Sequence, residues 1–152
     1  MTVSEPQIKH LEFIQAAIAR QASHSFAAKG WSVTVCTAGF FYAVTQKSIW
    51  LAVISAIPWI LFAFLDAYYL RNERAYRCLY NDVRTHSPSV QPFEMGIKCY
   101  LQPKECTNPP AQSDKCGWWS VLGSVPWFAM QLAVGSAWLA VLLITIVRVT
   151  QL

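Results

Sequence analysis

Asp66, Tyr69, Glu73, Arg77 and Tyr80 recur every three or four residues in LDAYYLRNERAYRCLYNDVR (65–84), so a helix through this stretch carries them as one stripe. The chemistry on offer is electrostatic rather than bond-making. An acid stands at the edge of an apolar run, an aromatic follows, and Glu73 and Arg77 form an i,i+4 pair worth about 0.2–0.5 kcal/mol. An ionisable residue at a membrane boundary is a functional candidate by default, and this one would pass a cytoplasmic movement to membrane helices. The plainer role for Asp66 is to pair with Lys29 or Arg71 and anchor its helix. Gln131 is the second polar candidate, set in the last apolar run with Thr34, Thr37 and Ser136 as available partners. With Ser120, Ser124 and Thr145 it makes only a patchy polar line for a pore. Asp66, Tyr69, Glu73, Arg77 and Gln131 are thus the candidate gating or interaction residues. Arg71, Arg74 and Cys78 fall on the opposite side of the same helix.

Bond-making chemistry is not expected. There is no nucleophile with a base at workable spacing, no Gly-rich phosphate loop, no paired carboxylates and no HExxH, so we expect a non-enzyme without catalytic residues or cofactors. Cys36 and Cys78 lie in helical stretches, while Cys99, Cys106 and Cys116 follow at separations of seven and ten. No CxxC occurs and His10, His24 and His86 are scattered, which argues against zinc. In a cytoplasmic loop these thiols are expected to be reduced, and with the topology inverted a disulfide becomes plausible.

The elements that must position these residues are membrane helices. Of 152 residues, 55% are hydrophobic and 13% charged, an excess of apolar surface for one soluble domain. Residues 30–46, 48–70 and 118–147 carry that excess. A span needs roughly 20 apolar residues to cross ~30 Å of hydrocarbon. The expected fold is therefore an all-α integral membrane protein with three transmembrane helices and a single membrane domain. Within 118–147, residues 118–125 read as an interfacial lead-in to a span beginning at Trp127. Pro58 is expected to kink the second span, and Pro126 follows the lead-in.

Before the first span, Ser4-Glu5-Pro6-Gln7 supplies an N-cap, an early Pro and a capping-box Gln. Ile8, Leu11, Ile14, Ile18 and Ala22 then make an amphipathic helix over 4–24, with Ser23-His24-Ser25 expected to break it. This helix can lie flat on the inner leaflet or pack against the cytoplasmic helix 71–84, and its shallow Ala-rich face suits the packing better, Leu11, Ile14 and Ile18 meeting Tyr76, Leu79 and Tyr80. Val35, Gly39 and Ala43 form a small-residue edge for close helix packing. The 85–117 stretch, with its five Pro, reads as a loop with one short ordered piece near Phe93 to Leu101. No cleaved signal peptide is expected, because the first apolar run comes late and passes straight into the second span.

Orientation follows from the cations. Lys9, Arg20, Lys29, Arg71, Arg74, Arg77, Arg84, Lys98, Lys104 and Lys115 fall on the side of the N-terminus and long loop, against Lys47 and Arg148 on the other. Ten against two places that side in the cytoplasm, and the net charge of +4 reads as topology rather than as nucleic-acid binding.

LEFIQAAIARQASHSFAAKGW (11–31) and LDAYYLRNERAYRCLYNDVR (65–84) resemble a family of small bacterial membrane proteins. Its pattern runs LEFIQ, Arg, Ser-Phe, Lys-Gly-Trp, a hairpin of spans, Leu-Asp-x-Tyr-Tyr-Leu, Glu-Arg and Leu-Tyr. The likeness covers about the first 84 residues and implies little chemistry. In layout the chain is also similar to two-span effector modules of bacterial nucleotide-signalling and anti-phage systems, which oligomerise and permeabilise the membrane. It differs in having a third apolar run and no evident sensor domain. The resemblance implies an oligomeric membrane effector or channel-like subunit in anti-phage defence, in contact with the bilayer and with further copies of itself. The alternative is a non-conducting adaptor that presents cytoplasmic helices to a soluble partner.

Overall fold

The computed structural model describes residues 5–85, 93–106, 110 and 116–150, and among them every regular element is helical. The order is α1 (Glu5–Thr45), α2 (Ile49–Ile54), α3 (Ala56–Arg84), α4 (Lys98–Leu101), a 3₁₀ turn at Pro103–Glu105, α5 (Trp118–Leu122) and α6 (Val125–Thr150). Ser4, and residues 86–92, 107–109 and 111–115 of the expected 85–117 loop, lie outside the described residues.

The expected break between 4–24 and 30–46 is corrected. α1 runs through Ser23-His24-Ser25 as one helix of 41 residues. Ser and His disfavour a helix interior by only some tenths of a kcal/mol each, and tertiary contacts override that. Here Ser25 is buried and the His24 ring lies against Tyr69 at 5.3 Å between centroids. Gln7 is also reassigned: its Nε2 donates to the Val83 carbonyl at 3.0 Å, capping one of the last acceptors of α3.

α1 ends in a tight turn at Gln46-Lys47-Ser48. The Ser48 N–H reaches the Ala43 carbonyl and the Lys47 N–H the Val44 carbonyl, with Lys47 at φ 49°. This is the Schellman pattern, with lysine in the left-handed position that glycine usually takes. The expected helix 48–70 is interrupted at Ser55, three residues before Pro58. The ring of Pro58 crowds the Ile54 carbonyl, and the helix re-forms as α3. From Ala56 to Arg84 there is no further break, so the helix continues past its apolar part as its charge pattern suggests. The expected 118–147 helix divides at Gly123-Ser124 into α5 and α6.

Two helical stretches are long and apolar enough to cross a membrane: Ile49–Arg84, which combines α2 and α3, and Trp127–Thr150. Only 17% and 6% of their apolar windows are buried, so neither is the sequestered core helix of a soluble domain.

The chain forms two compact units, 1–25 with 68–123, and 26–67 with 124–152. In the first, Ile14 of α1, Ala75, Cys78, Leu79 and Val83 of α3, Tyr100 of α4 and Cys116 form the core, bordered by Leu11, Ile18, Tyr76 and Tyr80. The N-terminal stripe thus meets the charged helix as its periodicity indicates, and the Tyr100 segment completes the cover. In the second unit Ala43 and Ala52 are fully buried, and a Cβ at Gly39 would stand 3.3 Å from that of Ser55. The Gly39 and Ala43 edge therefore serves the α1–α2 hairpin.

Candidate functional site

The five candidate residues divide between the units. Asp66 and Gln131 belong to the second unit, and Tyr69, Glu73 and Arg77 to the first.

In the second unit, Asp66 is buried at 2% exposure and ion-pairs with Lys29 Nζ at 2.5 Å. Arg71, its other expected partner, is engaged elsewhere. Gln131 turns to none of Thr34, Thr37 or Ser136. Its Oε1 accepts the Trp59 indole N–H at 2.8 Å. Thr34 and Ser136 instead donate to carbonyls of their own helices, Gly30 and Ala133, as Thr145 does to Val141. Two further indoles follow the same logic: Trp127 donates to the Ala63 carbonyl at 3.3 Å and Trp138 to that of Ala52 at 2.9 Å. Ala52 also accepts Ser55 Oγ, so the carbonyl beside the interruption has two donors. Each of these rings is half-buried and meets its polar requirement inside the protein. Gly135 makes room for this arrangement, since a Cβ there would come within 3.0 Å of the Trp59 ring.

In the first unit, Arg77 Nε and Nη2 both reach Glu73 Oε1, at 2.8 and 2.7 Å, along one face of α3. Tyr69 packs on His24 and edge-on to Tyr68. Beside Arg77, a groove of about 580 Å³ runs between α1 and α3, lined by Gln15, Ile18, Tyr80 and Asn81. Gln15 Nε2 donates to the Tyr80 hydroxyl across it.

Sequence reasoning singled out this face and passed over the other. Arg71 donates from Nη2 to the Leu101 carbonyl at 2.6 Å and from Nε to that of Cys116 at 3.1 Å, with its guanidinium 4.7 Å above the Trp118 ring. Arg74 Nη1 reaches the Ser120 carbonyl and hydroxyl. Two arginines on α3 therefore hold two downstream segments, the end of α4 and the stretch 116–120 that enters α5. The available signal was Arg71, Arg74 and Cys78 sharing one helix face. Tyr100 donates to Asp82 Oδ2 at 2.7 Å inside the core, where burial first and the Asp82 acceptor second push its phenol well above the ordinary range. His10 Nε2 lies 2.9 Å from the Glu94 carbonyl, and its ring packs against Phe93.

The expectation of reduced loop thiols is overturned: Cys99 and Cys106 are joined by a disulfide. A separation of seven lets α4 and the following 3₁₀ turn fold the chain back on itself, bringing the two Cα atoms to 5.7 Å. Among the described residues, no cluster of His, Cys, Asp and Glu is placed to hold a metal ion.

Fold and site together define an all-helical protein with two span-competent helices and a separately packed, Arg-braced helical unit. No family model, no curated protein and no solved structure matches the chain.

Proposed function

We propose that this is a bacterial inner-membrane protein of three spans, and that it works as a non-conducting adaptor displaying the 1–25 and 68–123 unit to a soluble cytoplasmic partner. The observation that carries this reading is the engagement of Gln131 by Trp59. Gln131 is the one amide in the last apolar run, and it is spent on helix packing instead of a water path. Thr34, Ser136 and Thr145 are likewise closed onto their own helices. The surface left to the bilayer is aliphatic and aromatic, including Trp50, Ile60, Leu61, Phe64, Leu132 and Leu143. The first span in this reading is the 30–45 part of α1. The ten-to-two distribution of cations supports a cytoplasmic N-terminus. A cytoplasmic side is compatible with the Cys99–Cys106 disulfide when the bond is redox-sensing rather than permanent.

The second reading, an oligomeric effector of anti-phage type, draws on the same exposed aliphatic faces, which neighbouring copies would also cover. It retains the resemblance carried by LEFIQ and LDAYYL, and assigns gating to Asp66.

The deciding experiment combines native mass in detergent with membrane potential during overexpression. The adaptor should leave the potential unchanged at any mass. A multimer that depolarises cells, with depolarisation lost in Asp66→Asn at equal expression, would replace the adaptor with the effector. Reporter fusions at residues 2 and 110 should both report cytoplasm, and an external signal at residue 110 would overturn the three-span topology.

A further inference from the structure

We propose that Cys78 and Cys116 are a dithiol that closes into a second disulfide, fastening α3 to the segment entering α5. Their sulfurs lie 3.4 Å apart, and both residues are buried in the core of the first unit. Only a shift of about 1.4 Å separates that contact from a bond of ~2.05 Å. Groups other than the sulfurs hold the two positions. Cys116 is fixed through its carbonyl by Arg71, whose guanidinium also covers Trp118 two residues on. Cys78 sits in the helix between Ala75 and Leu79, both fully packed. The unit's other two cysteines, Cys99 and Cys106, are already bonded, so all four of its cysteine sulfurs stand in pairs. Cys36, in the other unit, is a free, buried thiol.

The core supplies a reason for such a crosslink. It holds seven buried side chains, and units this small rarely gain enough from apolar burial alone without a covalent staple. A bond between residues 38 apart would enclose the Cys99–Cys106 loop within a larger one.

The reaction removes two protons and two electrons from the dithiol. The oxidant is a disulfide, either small-molecule or carried by a thiol oxidoreductase, and it leaves as two thiols. One protein thiolate attacks an oxidant sulfur, forming a mixed disulfide and releasing the first thiol. The other thiolate then attacks the protein-side sulfur, releasing the second thiol as the Cys78–Cys116 bond forms. The hydrogen bond with Cys78 and then burial raise the Cys116 thiol above its ordinary range. Exchange is consequently slow at neutral pH and proceeds through local opening of the unit.

The proposal is independent of which side of the membrane the unit faces. It is tested on the full chain in detergent. The protein is fully reduced and then incubated with oxidised glutathione at mildly alkaline pH. It is quenched in acid, alkylated under denaturing conditions and weighed intact, then mapped by peptide. The expected result is loss of four of the five alkylatable thiols, with a peptide linking Cys78 to Cys116. In Cys78→Ser, Cys116 should instead stay alkylatable or carry glutathione. Re-formation of Cys99–Cys106 in the same sample shows that oxidation was effective. With that bond restored, three thiols remaining alkylatable, or Cys78 and Cys116 each carrying glutathione without a mutual link, would overturn the proposal.

Discussion

The Lys29 ammonium meets the Asp66 carboxylate at 2.5 Å, with the lysine side chain 28% exposed and that of the aspartate 3%. The pair is therefore asymmetric in its access to water. Lys29 can straighten towards solvent when its partner is neutralised, whereas the carboxylate cannot follow. Lys29→Met should accordingly cost more than Asp66→Asn, about 3–5 kcal/mol as for a buried charge deprived of its counterion. Asp66→Asn should cost about 1.5–3 kcal/mol, a lost charge-assisted hydrogen bond. Thermal unfolding of both variants in one detergent, followed by circular dichroism, gives the order, and the reverse order would refute it.

Gly135 is a packing residue for Trp59. Gly135→Ala drives a methyl to within 3.0 Å of the indole, and overpacking of this kind costs about 1–3 kcal/mol. In a Trp59→Phe background the smaller ring leaves space, so the alanine penalty should shrink. A double-mutant cycle on unfolding free energy measures that coupling. Equal penalties in both backgrounds would show that the clash lies elsewhere.

Alkaline pH should loosen the first unit in a way that Tyr100 reports. The phenol's folded value lies above its ordinary 10.0, so its contribution is fully present below pH ~10 and is lost as pH rises beyond that. The Cys116 thiol, also raised, adds a loss in the same direction starting near its ordinary 9.0. Tyr100→Phe should be less stable at neutral pH, since Asp82 loses a donor, at a cost of about 1–3 kcal/mol. Above pH 10 its stability should fall less steeply than that of the wild type. Parallel curves would assign the alkaline loss to other groups.

Arg71→Lys keeps the charge and loses the fork that serves Leu101, Cys116 and the Trp118 ring together. Amide exchange should speed up in α5, with a cost of about 1.5–3 kcal/mol for hydrogen bonds made by a charged group. Exchange near Ile14 should change less, because the helix-to-helix packing of α1 and α3 does not depend on the guanidinium. Unchanged exchange across α5 would mean that Arg74 alone suffices to hold it.

Periodicity made the helices legible, and with them the meeting of Leu11, Ile14 and Ile18 with Tyr76, Leu79 and Tyr80. It also located the turn at Lys47, because a lone cation between two apolar runs leaves few other readings. The continuity of α1 through Ser23-His24-Ser25 was hidden, since the ring of Tyr69 that supports His24 lies far along the chain. Gln131 was correctly seen as needing a partner, but Trp59 is 72 residues away and its N–H is masked by a large apolar ring. Asp66 was read with two possible cations, and burial of Arg71's fork against backbone carbonyls decides for Lys29. The cysteines were judged by compartment instead of by fold, and Cys99–Cys106 depends on a local turn that spacing alone does not reveal.

The core around Ile14 is assembled from chain ends that are made at different times. Ile14 leaves the ribosome early, Leu79 later, and Cys116 after another 37 residues. At a synthesis rate of about 5–20 residues per second, the Leu11, Ile14 and Ile18 stripe waits about 5–20 s for its last core neighbour. During that interval its apolar face is open to any surface that will cover it, a lipid headgroup layer among them. In the membrane-protein reading proposed above, synthesis beside a bilayer would give this helix a temporary cover until the sequence that completes its core has been translated.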